Sequence, residues 1–424
     1  MSSTLRNVYV VGGKRTPFVK SGSSFAAVKR EQLMVAALKA LRERYVSDGK
    51  PIGDVGVGAL LNNASTWGLA RESVLNAGFH PYTPAYFVQR ACGTSLEAAG
   101  QIAAKIALGQ IDDGIAGGVD TNSDLPVEVS DPLRDWLVAL SKAPTLAARV
   151  QALAAFKPAM LKLRFPAVNE PQTGLSMGDH CELMVKEWGI SRSEQDEIAL
   201  ASHRNAVRAL GEGFFDEFLV PVAGVSRDAF PRADTSLEKL AKLKPAYDKQ
   251  AGTLTAGNST PLTDGAACVL LASETSLKNR GWEPSARFVD CQAAAVDFVH
   301  GDGLLMAPTV AVGRLLARNG LRLQDFDYYE IHEAFAGQVA CTLKAWEDDA
   351  YCRKFLGTGA LGALDRSKMN IVGSSLAIGH PFAATGARIT ATLAKLLRGS
   401  SGKRGLISVC TAGGMGVAAI LESP

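Results

Sequence analysis

The chain has 424 residues, 47% of them hydrophobic and 21% charged, with 42 glycines and seven cysteines. That length provides for about two to three domains of ~150 residues or one large duplicated unit, and it excludes a disordered chain or a small disulfide-stapled one. A net charge of +3, from 45 basic and 42 acidic side chains, supplies no basic field for nucleic-acid binding.

Residues 7–11 read as a buried strand. Residues 31–45 read as an amphipathic helix with Leu33, Ala37, Leu38 and Leu41 on one face, and 55–61 as a second strand. A strand at 85–88, a helix over 98–108 and a strand running into Ala116-Gly117-Gly118 follow. That helix is rich in Ala and Gly, so it packs closely on both sides and belongs in a buried layer. The alternation is α/β grammar.

From about 122 to 250 the texture changes, with Pro126, Pro132, Pro144, Pro158, Pro166 and Pro171 separating short helical pieces. An inserted, mostly helical loop domain is expected there. Within it, residues 133–165 carry Arg134, Lys142, Arg149, Lys157, Lys162 and Arg164 against one acid, Asp135. This stretch is read either as a solvated helical face or as a surface that docks a partner or touches an acidic membrane. Helices are expected at 178–188 and 194–210, the second behind a capping box of Ser191 and Glu194.

The last third repeats the opening grammar, with strands at 286–291, 328–331, 406–409 and 417–421. Helices are expected from Pro308, over 334–346 and over 385–397. The stretch 370–397 matches 87–108 in its order of turn and small-residue helix, which predicts an internal duplication with a reactive residue at the same turn in each half. The expected division is an N-terminal half in two parts, 1–121 and 251–280, an insert at 122–250, and a C-terminal half at 281–424.

Cys92, Cys181, Cys268, Cys291, Cys341, Cys352 and Cys410 are scattered, odd in number and never in a CxxC pair. Free thiols in a reducing compartment are expected, with no zinc spacing. The opening residues lack the charged and apolar regions of a signal peptide, and no run approaches the ~20 apolar residues of a membrane span. The expectation is a soluble, cytoplasmic protein.

Four segments stand out at strand ends or helix starts, where α/β enzymes place reactive groups. They are Arg90-Ala91-Cys92-Gly93-Thr94-Ser95, His332-Glu333-Ala334-Phe335-Ala336, Gly379-His380-Pro381-Phe382-Ala383-Ala384-Thr385-Gly386, and Cys410-Thr411-Ala412-Gly413-Gly414-Met415-Gly416. Cys92 opens a helix, whose dipole lowers a thiol pKa from about 8.5; the competing reading is a buried cysteine acting as a small hydrophobe. His380 stands at another helix start, either as a base for a thiol or as a hydrogen-bonded core histidine. Cys410 runs into glycines that let backbone amides approach a substrate oxygen. His332-Glu333 lacks the second histidine of HExxH, since position 336 is Ala336, so no metal is expected.

In this order and spacing the four segments resemble the thiolase family, as do Gly13-Lys14-Arg15-Thr16-Pro17-Phe18 and the block from Gly257 through Asn258, Ser259, Thr260 and Asp264 to Ala266. The resemblance implies a thiolase fold: two duplicated βαβαβαββ halves in a five-layered αβαβα arrangement, with an inserted, mostly helical loop domain. Most thiolases have Asn where this chain has His332; the HEAF form is similar to the β-subunit of the fatty acid oxidation trifunctional complex. That implies CoA-dependent cleavage of 3-ketoacyl-CoA in β-oxidation.

By the resemblance Cys92 is the nucleophile. His380 activates it and shares a first oxyanion hole with His332, Cys410 is the acid and base, and the amides of Cys92 and Ala412 form a second oxyanion hole. Thr260 and Met177 correspond to residues lining the pantetheine tunnel. Three positions depart from the common glycine: Ser95, Ala383 and Ala412. Coenzyme A enters as substrate, with no metal and no dissociable cofactor. A homodimer core is implied, and the HEAF form motivates a complex with a hydratase/dehydrogenase α-subunit. The alternatives are a biosynthetic acetoacetyl-CoA thiolase, a sterol or branched-chain thiolase, a ketoacyl synthase, and a non-enzymatic lipid-binding or scaffolding relative.

Overall fold

The computed structural model describes residues 5–424. Residues 1–4, the start of the polar lead, lie outside them. The first part runs β1 (Val8–Arg15), β2 (Val19–Lys20), α1 (Arg30–Tyr45), β3 (Asp54–Gly58), α2 (Leu69–Asn76), β4 (Ala85–Phe87), α3 (Thr94–Ala107) and β5 (Asp113–Asp120). Next come β6 (Glu128–Val129), α4 (Asp131–Lys142), α5 (Leu146–Ala154), β7 (Leu163–Arg164), α6 (Met177–Glu187), α7 (Arg192–Gly211) and α8 (Leu237–Ala241), then β8 (Thr263–Ser273) and α9 (Glu274–Arg280). The last part holds β9 (Ala286–Ala295), α10 (Ala307–Asn319), β10 (Tyr328–Ile331), α11 (Ala336–Glu347), α12 (Asp349–Leu356), α13 (Ser375–Ile378), α14 (Thr385–Leu397), β11 (Arg404–Thr411) and β12 (Met415–Glu422).

Pairing makes the duplication explicit. In the first part the order is β4-β3-β5-β8-β1, with β3 parallel to both β4 and β5, and β8 antiparallel to β5 and β1. In the last part β10 runs parallel to β11, and β12 is antiparallel to β11 and β9. The counterpart of β4 shrinks to a single parallel bridge, Tyr329 to Met369. Antiparallel pairing of β1 with β9, at Tyr9–Arg287 and Val10–Ala286, joins the two half-sheets.

Alternating side chains cover both faces of each half-sheet. Ala267, Val269 and Leu271 of β8 join Val417, Ala419 and Leu421 of β12 in a central core around α3 and α14. Their neighbours Cys268 and Leu270 face α1 and α2, where Leu33, Ala37, Leu38 and Leu41 are fully buried on the predicted face. Ala418 and Ile420 face α10 and α11. The layers are therefore helix, sheet, helix, sheet, helix, as expected. The middle layer is closest at Gly386, where an added Cβ would stand 2.3 Å from the Leu96 backbone nitrogen.

Some local expectations are corrected. β8, fully buried over its 11 residues, was not anticipated as a strand, although Ala266 to Ala272 is the continuous apolar run that a two-faced central strand requires. The capping box at α7 is only half made: Ser191 Oγ accepts from the Glu194 amide, while the Glu194 carboxylate pairs with Arg366 at 3.2 Å. The 122–250 stretch is less helical than expected, because β6 and β7 form a small ribbon and 212–236 is irregular. Its basic hairpin is also partly neutralised, since Asp131 and Asp135 pair with Arg134, and Asp131 with Arg164.

Because the contact at Gly386 is with backbone, it cannot be relieved by a rotamer change. Gly386→Ala is expected to lower the unfolding free energy by about 2–3 kcal/mol, read by urea denaturation.

Candidate active site

Cys92 sits in a short 3-10 turn, Ala91–Gly93, that leads into α3. Ala91 holds φ at +43°, a strained value for a residue with a Cβ, and this sharp reversal carries the thiol to the mouth of the helix. The equivalent turn in the other half, Phe382–Ala384, leads into α14. His380 precedes that turn, after Gly379 at φ +104°, where a Cβ would come within 2.7 Å of the Phe230 ring. His332 follows the end of β10, and Cys410 lies in β11 one residue before its end.

The fold brings these residues together. Cys92 Sγ and one ring nitrogen each of His332 and His380 lie within 4.8 Å of one another, and all three residues are buried. The two imidazoles are 4.1 Å apart between centroids. His380 Nδ1 is 2.6 Å from Thr385 Oγ1, and His332 Nδ1 is 2.7 Å from Ser375 Oγ. Both Nε2 atoms are buried and make no hydrogen bond to a described residue.

Burial dominates the electrostatics. It pushes the Cys92 thiol up to about 12, against the opposing pull of the Ala412 and Cys92 backbone amides. This corrects the direction expected from the helix start alone: depth outweighs the dipole, and the resting group is a thiol. Burial and the Arg388 charge hold His380 down at about 3. Burial, then His380 and Arg388, hold His332 well below its ordinary value. Cys410 is raised by burial and by proximity to Cys92, with the Ala334 amide opposing. The resting set is two thiols and two neutral imidazoles. A thiolate and two imidazoles are also a donor set of the kind that binds zinc.

The remaining predicted positions divide. The Ala412 amide faces the Cys92 sulfur. The Thr260 hydroxyl donates to the Ser375 carbonyl at 3.1 Å, so it braces the start of α13. Met177 opens α6 and packs half-buried on the C-terminal core. Ser95 joins the two middle helices, its hydroxyl accepting from the Ala387 amide at 2.8 Å.

Several supporting residues escaped the sequence. Thr263 Oγ1 accepts from the His380 amide at 3.0 Å. Asp120 accepts from the amides of Leu60, Leu61 and Ala383, tying the α14 turn to β5. Glu333 is held by Ser202, Asn370 and the Leu376 amide. The signal for Thr263 and Asp120 was their place at the ends of buried strands. Thr385 lay inside the segment singled out around His380, although no role was read for it, and Arg388 and Ser375 carried no signal of their own.

Comparison with known proteins agrees with this geometry. Residues 8–275 match the family model "Thiolase, N-terminal domain" and residues 282–423 match "Thiolase, C-terminal domain". The chain belongs to the thiolase family. It is 40% identical over 419 residues to a 3-ketoacyl-CoA thiolase of Pectobacterium carotovorum, covering 97% of this chain and 95% of that one. It is 39% identical over 424 residues to the mitochondrial trifunctional enzyme subunit beta of Bos taurus, covering 99% and 89%. The crystal structure of the Bacillus anthracis acetyl-CoA acetyltransferase superposes with a TM-score of 0.83 at 31% identity over the full length of both chains.

Depressed histidines make this thiolase sensitive to acid. Below about 6.5 the unfolded chain binds protons that the native His332, His380 and His203, the last held near 4 by burial, refuse, so each contributes stability that falls as pH falls. Asp120 and Glu330, raised to about 6 and about 8 by burial, act in the opposite sense, so the clean readout is a difference between variants. His203→Asn, away from the site, should flatten the dependence between pH 4 and 6.5 by about one proton, or ~1.4 kcal/mol per pH unit.

Proposed function

We propose that this thiolase cleaves 3-ketoacyl-CoA with coenzyme A, giving acetyl-CoA and an acyl-CoA shortened by two carbons, and that it runs in reverse as a Claisen condensation. The observation that carries this reading is the convergence of Cys92 Sγ with one ring nitrogen each of two neutral, buried histidines whose Nε2 atoms are unpartnered among the described residues, beside a second thiol at Cys410. The relatives named 3-ketoacyl-CoA thiolase support the substrate class.

The Cys92 proton passes to His380 Nε2 as the sulfur attacks the C3 ketone; His332 and the protonated His380 face the oxyanion. The C2–C3 bond then breaks, its electron pair goes to C2, and the Cys410 thiol protonates that carbon. Acetyl-CoA leaves and an acyl-Cys92 thioester remains. The CoA thiol gives its proton to the Cys410 thiolate and attacks the acyl carbon, with the second oxyanion held by the amides of Cys92 and Ala412. Collapse releases acyl-CoA, and Cys92 recovers its proton from His380. Since neither resting pKa favours an ion pair, proton transfer and carbon attack are coupled to substrate arrival.

In this reading Thr260 and Met177 line the pantetheine tunnel. Residues 122–250 form the loop domain inserted between 1–121 and 251–280, ahead of the C-terminal half at 281–424. The enzyme works in fatty acid β-oxidation in the cytoplasm as a homodimer core. The likeness to a trifunctional enzyme subunit beta supports a complex with a hydratase/dehydrogenase α-subunit. No helix of the described residues is long and apolar enough to cross a membrane, so any contact through 133–165 is peripheral.

One observation favours a second reading. A Cys-His-His cluster also suits a ketoacyl synthase acting on a malonyl thioester; Cys410, adjacent to Cys92, argues for thiolysis.

Incubation with a 3-ketoacyl-CoA and no free CoA should leave the acyl group on Cys92, read by mass spectrometry, and Cys92→Ala should lower thiolysis by about 10³-fold or more. Turnover of malonyl thioester without thiolysis, or an adduct on another cysteine, overturns the assignment.

A further inference from the structure

His332 and His380 stand side by side, both neutral, yet the two groups that fix their outer nitrogens are unlike. Behind His380 lies a single hydroxyl, Thr385 Oγ1, which either donates to or accepts from Nδ1. Behind His332 lies a chain. Its first link is Ser375 Oγ, 2.7 Å from Nδ1. Its second is Arg388 Nη2, 2.8 Å from the same oxygen. All three residues are buried.

A guanidinium has donors and no acceptor, so Ser375 Oγ must accept from Arg388. Among the described residues, His332 Nδ1 is the acceptor within reach of the hydroxyl's own hydrogen. Nδ1 of His332 therefore offers its lone pair, and the proton of the neutral ring sits on Nε2, the buried ring nitrogen that has no hydrogen-bond partner among the described residues. Arg388 is itself aligned by Ser374 Oγ at 3.3 Å and by the buried Glu330 carboxylate at 3.9 Å. Arg388 follows Thr385 by three residues on α14, so one face of one helix fixes both histidines.

We propose that Arg388 and Ser375 are positioning residues whose relay locks His332 in the Nε2–H tautomer, making it a permanent donor to the oxyanion and leaving His380 as the single base. The kinetic part rests on the thiolase reaction proposed above; the tautomer is independent of it. Without the lock, a second imidazole 4.1 Å from the first competes for the Cys92 proton, or turns a lone pair toward the oxyanion.

The experiment combines nitrogen NMR and kinetics on the whole enzyme. In protein labelled with 15N-histidine, the His332 signals are assigned by their loss in His332→Asn. The expected pattern is a pyridine-like Nδ1 and a pyrrole-like Nε2, mixed or reversed in Ser375→Ala and retained in Ser375→Thr. Ser375→Ala should lower kcat by about tenfold with KM changed by less than about twofold, while Ser375→Thr restores kcat.

In a His332→Asn background the carboxamide brings its own donor, so Ser375→Ala should cost less than about twofold further. Arg388→Met should give the tautomer change of Ser375→Ala; if that variant does not fold, the two Ser375 variants carry the test. A pyridine-like Nε2 on His332 in the unaltered enzyme overturns the proposal, as does an equal Ser375→Ala effect in both backgrounds. An absence of thiolysis in the unaltered enzyme overturns the reaction instead and leaves the NMR result to stand.

Discussion

The site depends on the close approach of α3 and α14. The two half-sheets could each fold over a central helix without producing an active site; what makes one is that these helices approach backbone to backbone at Leu96 and Gly386. Their N-terminal turns then lie together, with the Ser95 hydroxyl bonded across to Ala387 and Asp120 pinning the Ala383 amide from β5. A methyl group at 386 would stand 2.3 Å from the Leu96 nitrogen and push the helices apart. Cys92 from one half would then be drawn away from His380 of the other. Packing, not a loop, sets the distance between the Cys92 thiol and the His380 ring.

The same closeness dictates the chemistry. A site between two sheets is buried, and burial keeps thiol and imidazole neutral, with Cys92 raised to about 12 and His380 lowered to about 3. A standing thiolate would be more nucleophilic, but also open to oxidation and other electrophiles. Here the amides of Ala412 and Cys92 supply stabilisation that is preorganised and of fixed sign. It favours negative charge on the sulfur or on a nearby oxygen once a substrate brings it, and costs no reorganisation at that moment.

Much of this was legible in the sequence, and the reason it was legible is physical. Glycine, proline and small residues mark turns where backbone approaches backbone, so the segments around Cys92, His380 and Cys410 were conspicuous against ordinary helix and strand. The strand grammar and the buried face of α1 followed from periodicity. What escaped were effects of depth and of three-dimensional relay. A helix start is visible in sequence, whereas the burial that reverses its influence on Cys92 is not. β8 was obscured because its apolar run begins inside a motif block. Ser375 and Arg388 are common residue types in ordinary positions, and they and Thr385 acquire roles only when α13 and α14 fold back on the end of β10.

The duplication is also the source of the asymmetry the chemistry requires. Matching the two 3-10 turns places Cys92 opposite Ala383, Thr94 opposite Thr385 and Glu97 opposite Arg388. Thr94 donates its hydroxyl to the Ala91 carbonyl at 2.7 Å and closes its own turn; Thr385 reaches His380 instead. Glu97 pairs with Arg90 near the surface, while Arg388 turns inward to Ser374 and Ser375. In the proposed reaction, equivalent backbone positions thus serve the nucleophile in one half and its base and oxyanion donor in the other. A symmetric pair of turns would have set like groups face to face, two thiols or two bases. By keeping the backbone and changing what each turn carries, the fold brings thiols and imidazoles of unlike surroundings to a single point between its halves.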